Sequence, residues 1–121
     1  MERHHEVLQE LRESTKSLRR AIPDVWDRFL ALHGAAMAEG ELSVGLKESI
    51  ALAISVVKRC DGCIAYHAKA AARAGATADQ VGEVLSVALL MDGGTASVYA
   101  PRAWEAFLEF QSELSSSPVE S

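Results

Sequence analysis

The sequence predicts an all-α protein, a bundle of about six helices joined by short turns. Apolar residues recur at steps of three and four along most of the chain, whereas the alternation typical of a half-buried strand is absent. Glycines and prolines interrupt this pattern at intervals that suit helices of ordinary length. The chain has 121 residues, of which 49% are hydrophobic and 24% charged, so it fits a single domain that we place at residues 1–114.

The first two helices are expected at about residues 4–19 and 23–39. The first keeps its apolar residues close to one face, as a surface helix does: Val7, Leu8, Leu11 and Leu18. Pro23 suits the first turn of the second helix, and Gly40 ends it. Its aromatic residues Trp26 and Phe29 are interpreted as core or subunit contacts.

Ser43 can cap a third helix, which has apolar residues nearly all round and therefore resembles a central buried helix. Those residues are Leu46, Ile50, Leu52, Ile54, Val56 and Val57. Asp61 and Gly62 are expected to interrupt it. A fourth, alanine-rich helix then runs from near Cys63 to residue 74 and ends at Gly75.

Thr77 and Gln80 form the pattern of a capping box, and a fifth helix continues to about Met91. The last helix is expected from about residue 95 to 114, with Pro101 either kinking it or dividing it in two. Its aromatic residues are also interpreted as core or subunit contacts: Trp104, Phe107 and Phe110. Residues 115–121 are predicted to be a flexible tail.

Charge and hydropathy exclude two classes of partner. The formal net charge is −5 and basic residues do not cluster, which argues against nucleic-acid binding. The longest apolar run is far shorter than the ~20 residues needed to cross a bilayer, so no membrane partner is expected. The charged amino terminus lacks the apolar segment of a signal peptide, and we therefore expect a cytoplasmic protein.

The residues most informative about function are the two cysteines, Cys60 and Cys63, and His67 four positions after the second. Two thiols separated by two residues can cycle between dithiol and disulfide without moving distant parts of the fold. A histidine one helical turn from Cys63 can accept the thiol proton or stabilise the thiolate, which is the attacking form. This spacing favours redox chemistry.

Other interpretations of these residues remain open. Cys60, Cys63 and His67 could instead hold zinc in a structural module, with Glu48 or water as the fourth ligand. Tyr66 is expected to point away from the Cys63 and His67 face as a packing residue. The remaining histidines are not assigned a function: His4 and His5 are expected to form a solvated end, and His33 to be part of a helix face.

The pattern Glu48, Cys60, Cys63 and His67, followed by an alanine-rich helix and Gly93-Gly94, resembles the alkylhydroperoxidase D-like branch of the carboxymuconolactone decarboxylase family. The resemblance spans about residues 23–110. It implies an all-α protein that assembles as a trimer or hexamer and reduces hydroperoxides or disulfides without a metal or organic cofactor. The wider family also suggests a lactone decarboxylase, although that chemistry needs no cysteine pair.

By this resemblance Cys63 attacks the peroxide, Cys60 resolves the product as a disulfide, and Glu48 with His67 relays protons. A dithiol of unidentified nature would donate the electrons. Helix geometry leaves the attacking cysteine open, because a helix amino terminus favours a Cys60 thiolate whereas His67 favours Cys63. Some peroxidase members carry a histidine between the cysteines, where this chain has Gly62.

The distance between Glu48 and His67 is also open at this point. Along the helix axis, Glu48 lies about 18 Å before Cys60 and His67 about 10 Å after it. A tight antiparallel hairpin that turns at Cys60 would therefore leave Glu48 and His67 apart. Contact would require a steep helix crossing, an early end to the third helix, or a neighbouring subunit.

Overall fold

The computed structural model describes residues 3–116, which form six α-helices. These are α1 Arg3–Ala21, α2 Pro23–Met37, α3 Val44–Val57, α4 Asp61–Arg73, α5 Ala78–Asp92 and α6 Gly94–Ser116. No strand is present in this range, and the predicted all-α bundle is confirmed. The helix α6 extends to Ser116, two residues further than expected, and the rest of the predicted tail lies outside the described residues.

Both predicted caps are present. The Ser43 hydroxyl accepts a hydrogen bond from the Leu46 N–H at the start of α3. Thr77 and Gln80 exchange side-chain and backbone hydrogen bonds at the start of α5, which completes the capping box. Pro101 lies inside α6 without dividing it. Fully buried residues on both sides of the proline, among them Ala96 and Phe107, offset the backbone hydrogen bond that its ring removes.

The core lies between α3, α4 and α6. Leu52, Val56, Ile64 and Phe107 are completely buried there. The residues of α4 that face inward are mostly alanines, which let its backbone approach its neighbours closely: Ala65, Ala68, Ala71 and Ala72. The helix that carries both cysteines and His67 is thus the most enclosed element of the bundle.

A buried carboxylate holds the amino end of α1 against α6. Glu109 is 3% exposed, and it accepts hydrogen bonds from the backbone N–H groups of His4 and His5. It thereby satisfies donors that a helix start leaves free. The expectation of a solvated end is wrong for His4, which is buried under this contact, while His5 pairs with Glu113 at the surface.

Several apolar residues are exposed in the single chain. The helix α3, expected to be a central buried helix, has one exposed side, because Ile50, Ile54 and Val57 face outward. The helix α2 buries no residue within the described chain, and Phe29 is 56% exposed. Among the described helices, none is both long and apolar enough to cross a membrane.

Candidate active site

The turn between α3 and α4 is built on Arg59, whose backbone is left-handed with φ 56°. The N–H of Arg59 donates to the Val56 carbonyl at 3.1 Å, and the N–H of Cys60 donates to the Ser55 carbonyl at 3.2 Å. This is the hydrogen-bond pattern of a Schellman motif, in which glycine usually occupies the left-handed position. An arginine there costs about 1–2 kcal/mol, and the turn delivers Cys60 directly to the start of α4.

Cys60 caps the amino end of α4 and forms a disulfide with Cys63, with their Cα atoms 5.2 Å apart. The N–H of Cys63 donates to the Cys60 sulfur at 3.2 Å. Asp61 and Gly62, which were expected to interrupt the chain between helices, form the first turn of α4 instead. Both sulfurs therefore lie at a helix amino terminus, where the helix dipole stabilises a thiolate in the reduced protein.

Glu48 and His67 are in direct contact within one chain. The Glu48 Oε1 atom lies 2.7 Å from His67 Nδ1, and Glu48 is only 4% exposed. Measured from the helix ends, Glu48 is nine residues before Val57 and His67 six residues after Asp61, or about 13 Å and 9 Å. The two side chains span the difference of roughly 4 Å, so an antiparallel pair brings them together without a second subunit.

The contact fixes the role of each imidazole nitrogen. A carboxylate accepts only, so Nδ1 of His67 carries the proton and donates to Glu48. In the neutral ring Nε2 is then the unprotonated nitrogen, free to accept a proton. Within residues 3–116 no hydrogen bond joins His67 to either sulfur of the disulfide.

Two aromatic rings pack against His67. The Tyr66 ring meets it edge-on with centroids 5.0 Å apart, so the expectation that Tyr66 points away from this face is wrong. His33 of α2 stacks on His67 at 6.4 Å and meets Tyr66 edge-on at 5.8 Å. Burial, followed by the charge of Glu48, raises the pKa of Tyr66 above 10.0, so its hydroxyl stays protonated at neutral pH.

His33 reaches the site because Lys47 holds the end of α2. The Lys47 ammonium donates to the carbonyls of Ala36 and Ala38 at 3.0 and 2.6 Å, which satisfies carbonyls that a helix end leaves free. The Nε2 atom of His33 is buried and has no hydrogen-bond partner within the described part of the chain. No local spacing links position 33 to position 67, so sequence reasoning missed this residue.

The helix α1 lies over the first turn of α4. A Cβ atom at Gly62 would come within 2.7 Å of the Leu11 Cδ1 atom, so the glycine makes room for that side chain. Asp61 pairs with Arg3 of α1 at 3.6 Å and with Arg102 of α6 at 3.5 Å. The absence of a histidine at position 62 therefore has a structural counterpart, because Leu11 occupies the adjacent space.

The four residues of the predicted signature thus lie on two packed helices, with Cys60 joined to Cys63 and Glu48 joined to His67. Among the side chains of residues 3–116, no three His, Cys, Asp or Glu residues come together as a group that could hold a metal ion. In the disulfide form the two sulfurs are bonded to each other.

Comparison with known proteins relates the chain to one family. The sequence model of the carboxymuconolactone decarboxylase family matches residues 23–106. An uncharacterized protein of Cupriavidus necator is 36% identical over 100 residues, which cover 83% of this chain and 88% of that protein. An uncharacterized protein encoded in the cox locus of Paracoccus denitrificans is 40% identical over 84 residues, or 69% of this chain and 76% of that protein.

Two solved structures share the fold. A carboxymuconolactone decarboxylase family protein of Legionella pneumophila superimposes with a TM-score of 0.88 and 32% identity, covering 92% of this chain and 99% of that one. A Thermotoga maritima member of the same family, for which an antioxidative role has been suggested, has a TM-score of 0.76 and 29% identity. This match covers 91% of the present chain and 93% of the Thermotoga chain.

Proposed function

Because this chain belongs to the carboxymuconolactone decarboxylase family, we propose that it is a thiol-dependent oxidoreductase that reduces hydroperoxides through Cys60 and Cys63. The observation that carries the proposal is the hydrogen-bonded pair of Glu48 on α3 and His67 on α4. The turn between these two helices leads directly into the disulfide of Cys60 and Cys63. The antioxidative role suggested for the Thermotoga relative is consistent with it. A dithiol cycle suits a reducing compartment such as the cytoplasm.

The reaction has two balanced steps. A cysteine thiolate attacks the O–O bond of the hydroperoxide, forms a sulfenic acid, and releases the alcohol after one proton is delivered. The second thiol condenses with the sulfenic acid, which forms the disulfide and releases water. An external dithiol then reduces the disulfide and is itself oxidised. The electrons of the cycle pass only through the two cysteines and this donor.

His67 transfers the proton in this scheme, and Glu48 supports it. The His67 Nε2 atom takes the proton of the attacking thiol and returns it to the departing alkoxide, while Glu48 holds Nδ1 and stabilises the imidazolium that forms between these events. Family resemblance assigns the attack to Cys63. The position of Cys60 as the cap of α4 favours its thiolate instead, and single cysteine variants separate the two.

The decisive experiment is mass spectrometry of the Cys60–Cys63 peptide after one equivalent of hydroperoxide. We expect loss of two hydrogens, as the disulfide forms, in the parent protein. Cys60→Ser should accumulate a sulfenic acid on Cys63, whereas Cys63→Ser should leave Cys60 reduced if Cys63 attacks. A parent protein that consumes no peroxide and keeps both thiols would contradict the proposal. Stoichiometric zinc with protected thiols would favour the zinc module.

We also propose that the protein forms a homo-oligomer. Leu90 and Met91 on α5 are each 79% exposed, and Leu32 on α2 is 65% exposed, so the single chain leaves apolar surface on several helices. Of the aromatic residues on the last helix, Phe107 and Phe110 are buried within one chain, whereas Trp104 remains 37% exposed. Sedimentation at micromolar concentration should give a trimer or hexamer, and a monomer would contradict the proposal.

A further inference from the structure

A cavity of about 460 Å³ lies beside the Glu48–His67 pair, within the range usual for small-molecule sites. Three helices line it: α1 with Leu8, α3 with Val44 and Glu48, and α4 with Tyr66, Lys69 and Arg73. Two other cavities of similar size, around Trp104 and around Ile54, contain none of the proposed redox or proton-relay residues. Of these three cavities, the one beside Glu48 is the one that includes a proposed proton-relay residue.

Two cations without an internal partner lie in this cavity. Lys69 and Arg73 are four residues apart on α4, so their side chains share one face of the helix. In the described part of the chain neither side chain forms an ion pair or hydrogen bond, in contrast to Arg3 and Arg102, which both pair with Asp61. Among residues 3–116, Arg20 and Arg28 also have no ion-pair or hydrogen-bond partner for their side chains, but neither lines the cavity beside Glu48.

We propose that this cavity binds hydroperoxides that carry a carboxylate on an apolar chain, as a fatty-acid hydroperoxide does, with Lys69 and Arg73 holding the carboxylate. The inference rests on the proposed peroxidase function and names its substrate class. The apolar walls at Leu8 and Val44 suit the hydrocarbon part of such a molecule. The formal net charge of the chain is −5, so Lys69 and Arg73 supply the local attraction for an anion.

The charges of the cavity also fix the direction of the ligand. The Glu48 carboxylate, which is bonded to His67, repels an anion from its part of the cavity, whereas Lys69 and Arg73 attract the anion to theirs. The hydroperoxide group then lies toward Glu48, the lining residue that is bonded to His67, whereas His67 and the cysteines themselves lie outside the lining. Tyr66 lines the same cavity, and its hydroxyl stays protonated because its pKa is raised, so a hydroxyl turned into the cavity would donate a hydrogen bond to a ligand oxygen.

Helix geometry gives the length that a substrate must span. Cys63 precedes Lys69 by six residues and Arg73 by ten, or about 9 Å and 15 Å along the axis of α4. Long basic side chains on a helix lean toward its amino end, which shortens both distances. A carboxylate held by these cations thus places a reactive group on Cys63 only if a chain of several carbons separates the two.

The test compares a straight-chain hydroperoxy carboxylic acid of medium length with its methyl ester, which has the same chain without the charge. We expect the parent protein to favour the acid in kcat/KM by about tenfold, which corresponds to about 1.4 kcal/mol. Changing Lys69→Gln together with Arg73→Gln should abolish most of this preference through a higher KM for the acid. A control with Arg20→Gln and Arg28→Gln removes the same charge elsewhere and should keep the preference.

Equal kcat/KM values for acid and ester in the parent, or a preference that the control variant loses equally, would overturn the inference. If neither peroxide is consumed, the proposed function fails and binding still decides the inference. Calorimetry with the corresponding hydroxy acid and its methyl ester, on the Cys63→Ser protein, should show tighter binding of the acid that depends on Lys69 and Arg73. Equal or absent binding of both compounds would overturn it.

Discussion

Replacing Glu48 by glutamine tests whether the carboxylate acts on the reaction through the charge of His67. The glutamine carbonyl can still accept the Nδ1 proton at the same position, so the orientation of the ring is kept while the charge is lost. A hydrogen bond to a charged group contributes about 1.5–3 kcal/mol and a neutral one about 0.5–1.5 kcal/mol. The difference of roughly 1–1.5 kcal/mol predicts that kcat/KM falls about five- to thirteenfold.

The assay is peroxide consumption coupled to an excess of a dithiol, run on Glu48→Gln, His67→Ala and the double variant. If Glu48 acts only through His67, the double variant should be no slower than His67→Ala alone. Glu109→Gln is a matched control, because it removes an equally buried carboxylate that caps α1; it should lower Tm and leave kcat/KM within about twofold of the parent. A Glu48→Gln enzyme as fast as the parent, or an equal loss in the His67→Ala background, would refute the reasoning.

Further predictions concern the turn at Arg59, the packing of α1 on the first turn of α4, and the rings of His33 and Tyr66 around His67. Arg59→Gly should raise the free energy of unfolding by about 0.5–1 kcal/mol net, measured as a higher urea midpoint at unchanged m-value, because glycine adopts the left-handed backbone without strain but gains entropy when unfolded. Gly62→Ala should speed amide exchange in α1 by displacing Leu11, and adding Leu11→Ala should reverse the effect; unchanged exchange would contradict the contact. His33→Ala should increase carbethoxylation of His67 by diethyl pyrocarbonate, measured on the peptide, whereas His33→Phe should keep it slow. Since the pKa of Tyr66 is raised in the folded protein, its neutral form adds stability below about pH 10 that is lost as pH rises through the folded pKa, so Tyr66→Phe should flatten the alkaline loss of stability.

The helices could be predicted from sequence because local periodicity and capping residues determine them. Ser43, Thr77 and Gln80 form the helix caps that their side-chain chemistry predicts. The turn at the site was misplaced because Asp61 and Gly62 are turn-forming types, whereas the chain bends at Arg59, a residue type that rarely adopts a left-handed backbone. Tertiary packing can hold a residue such as Arg59 in a left-handed backbone that its type disfavours.

The candidate site was predictable only in part. The spacing of Cys63 and His67 is local and could be read from helical geometry, whereas Glu48 was included by family resemblance alone. The contact between Glu48 and His67 depends on where α3 ends and α4 begins. A prediction that misplaces these helix ends by a few residues places the two side chains several ångströms apart. His33 and Leu11 reach the site by tertiary packing alone, which leaves no pattern in the sequence.

The weak attachment of α2 has a consequence for access to His67. This helix buries no side chain in the described chain, and the Lys47 ammonium bonded to its last carbonyls is among the few contacts that hold it. Its local opening therefore costs much less free energy than global unfolding. Because His33 lies on α2, this partial opening exposes more of the His67 side chain, which is 19% exposed with α2 in place. Any subunit that packs on α2 makes the opening rarer.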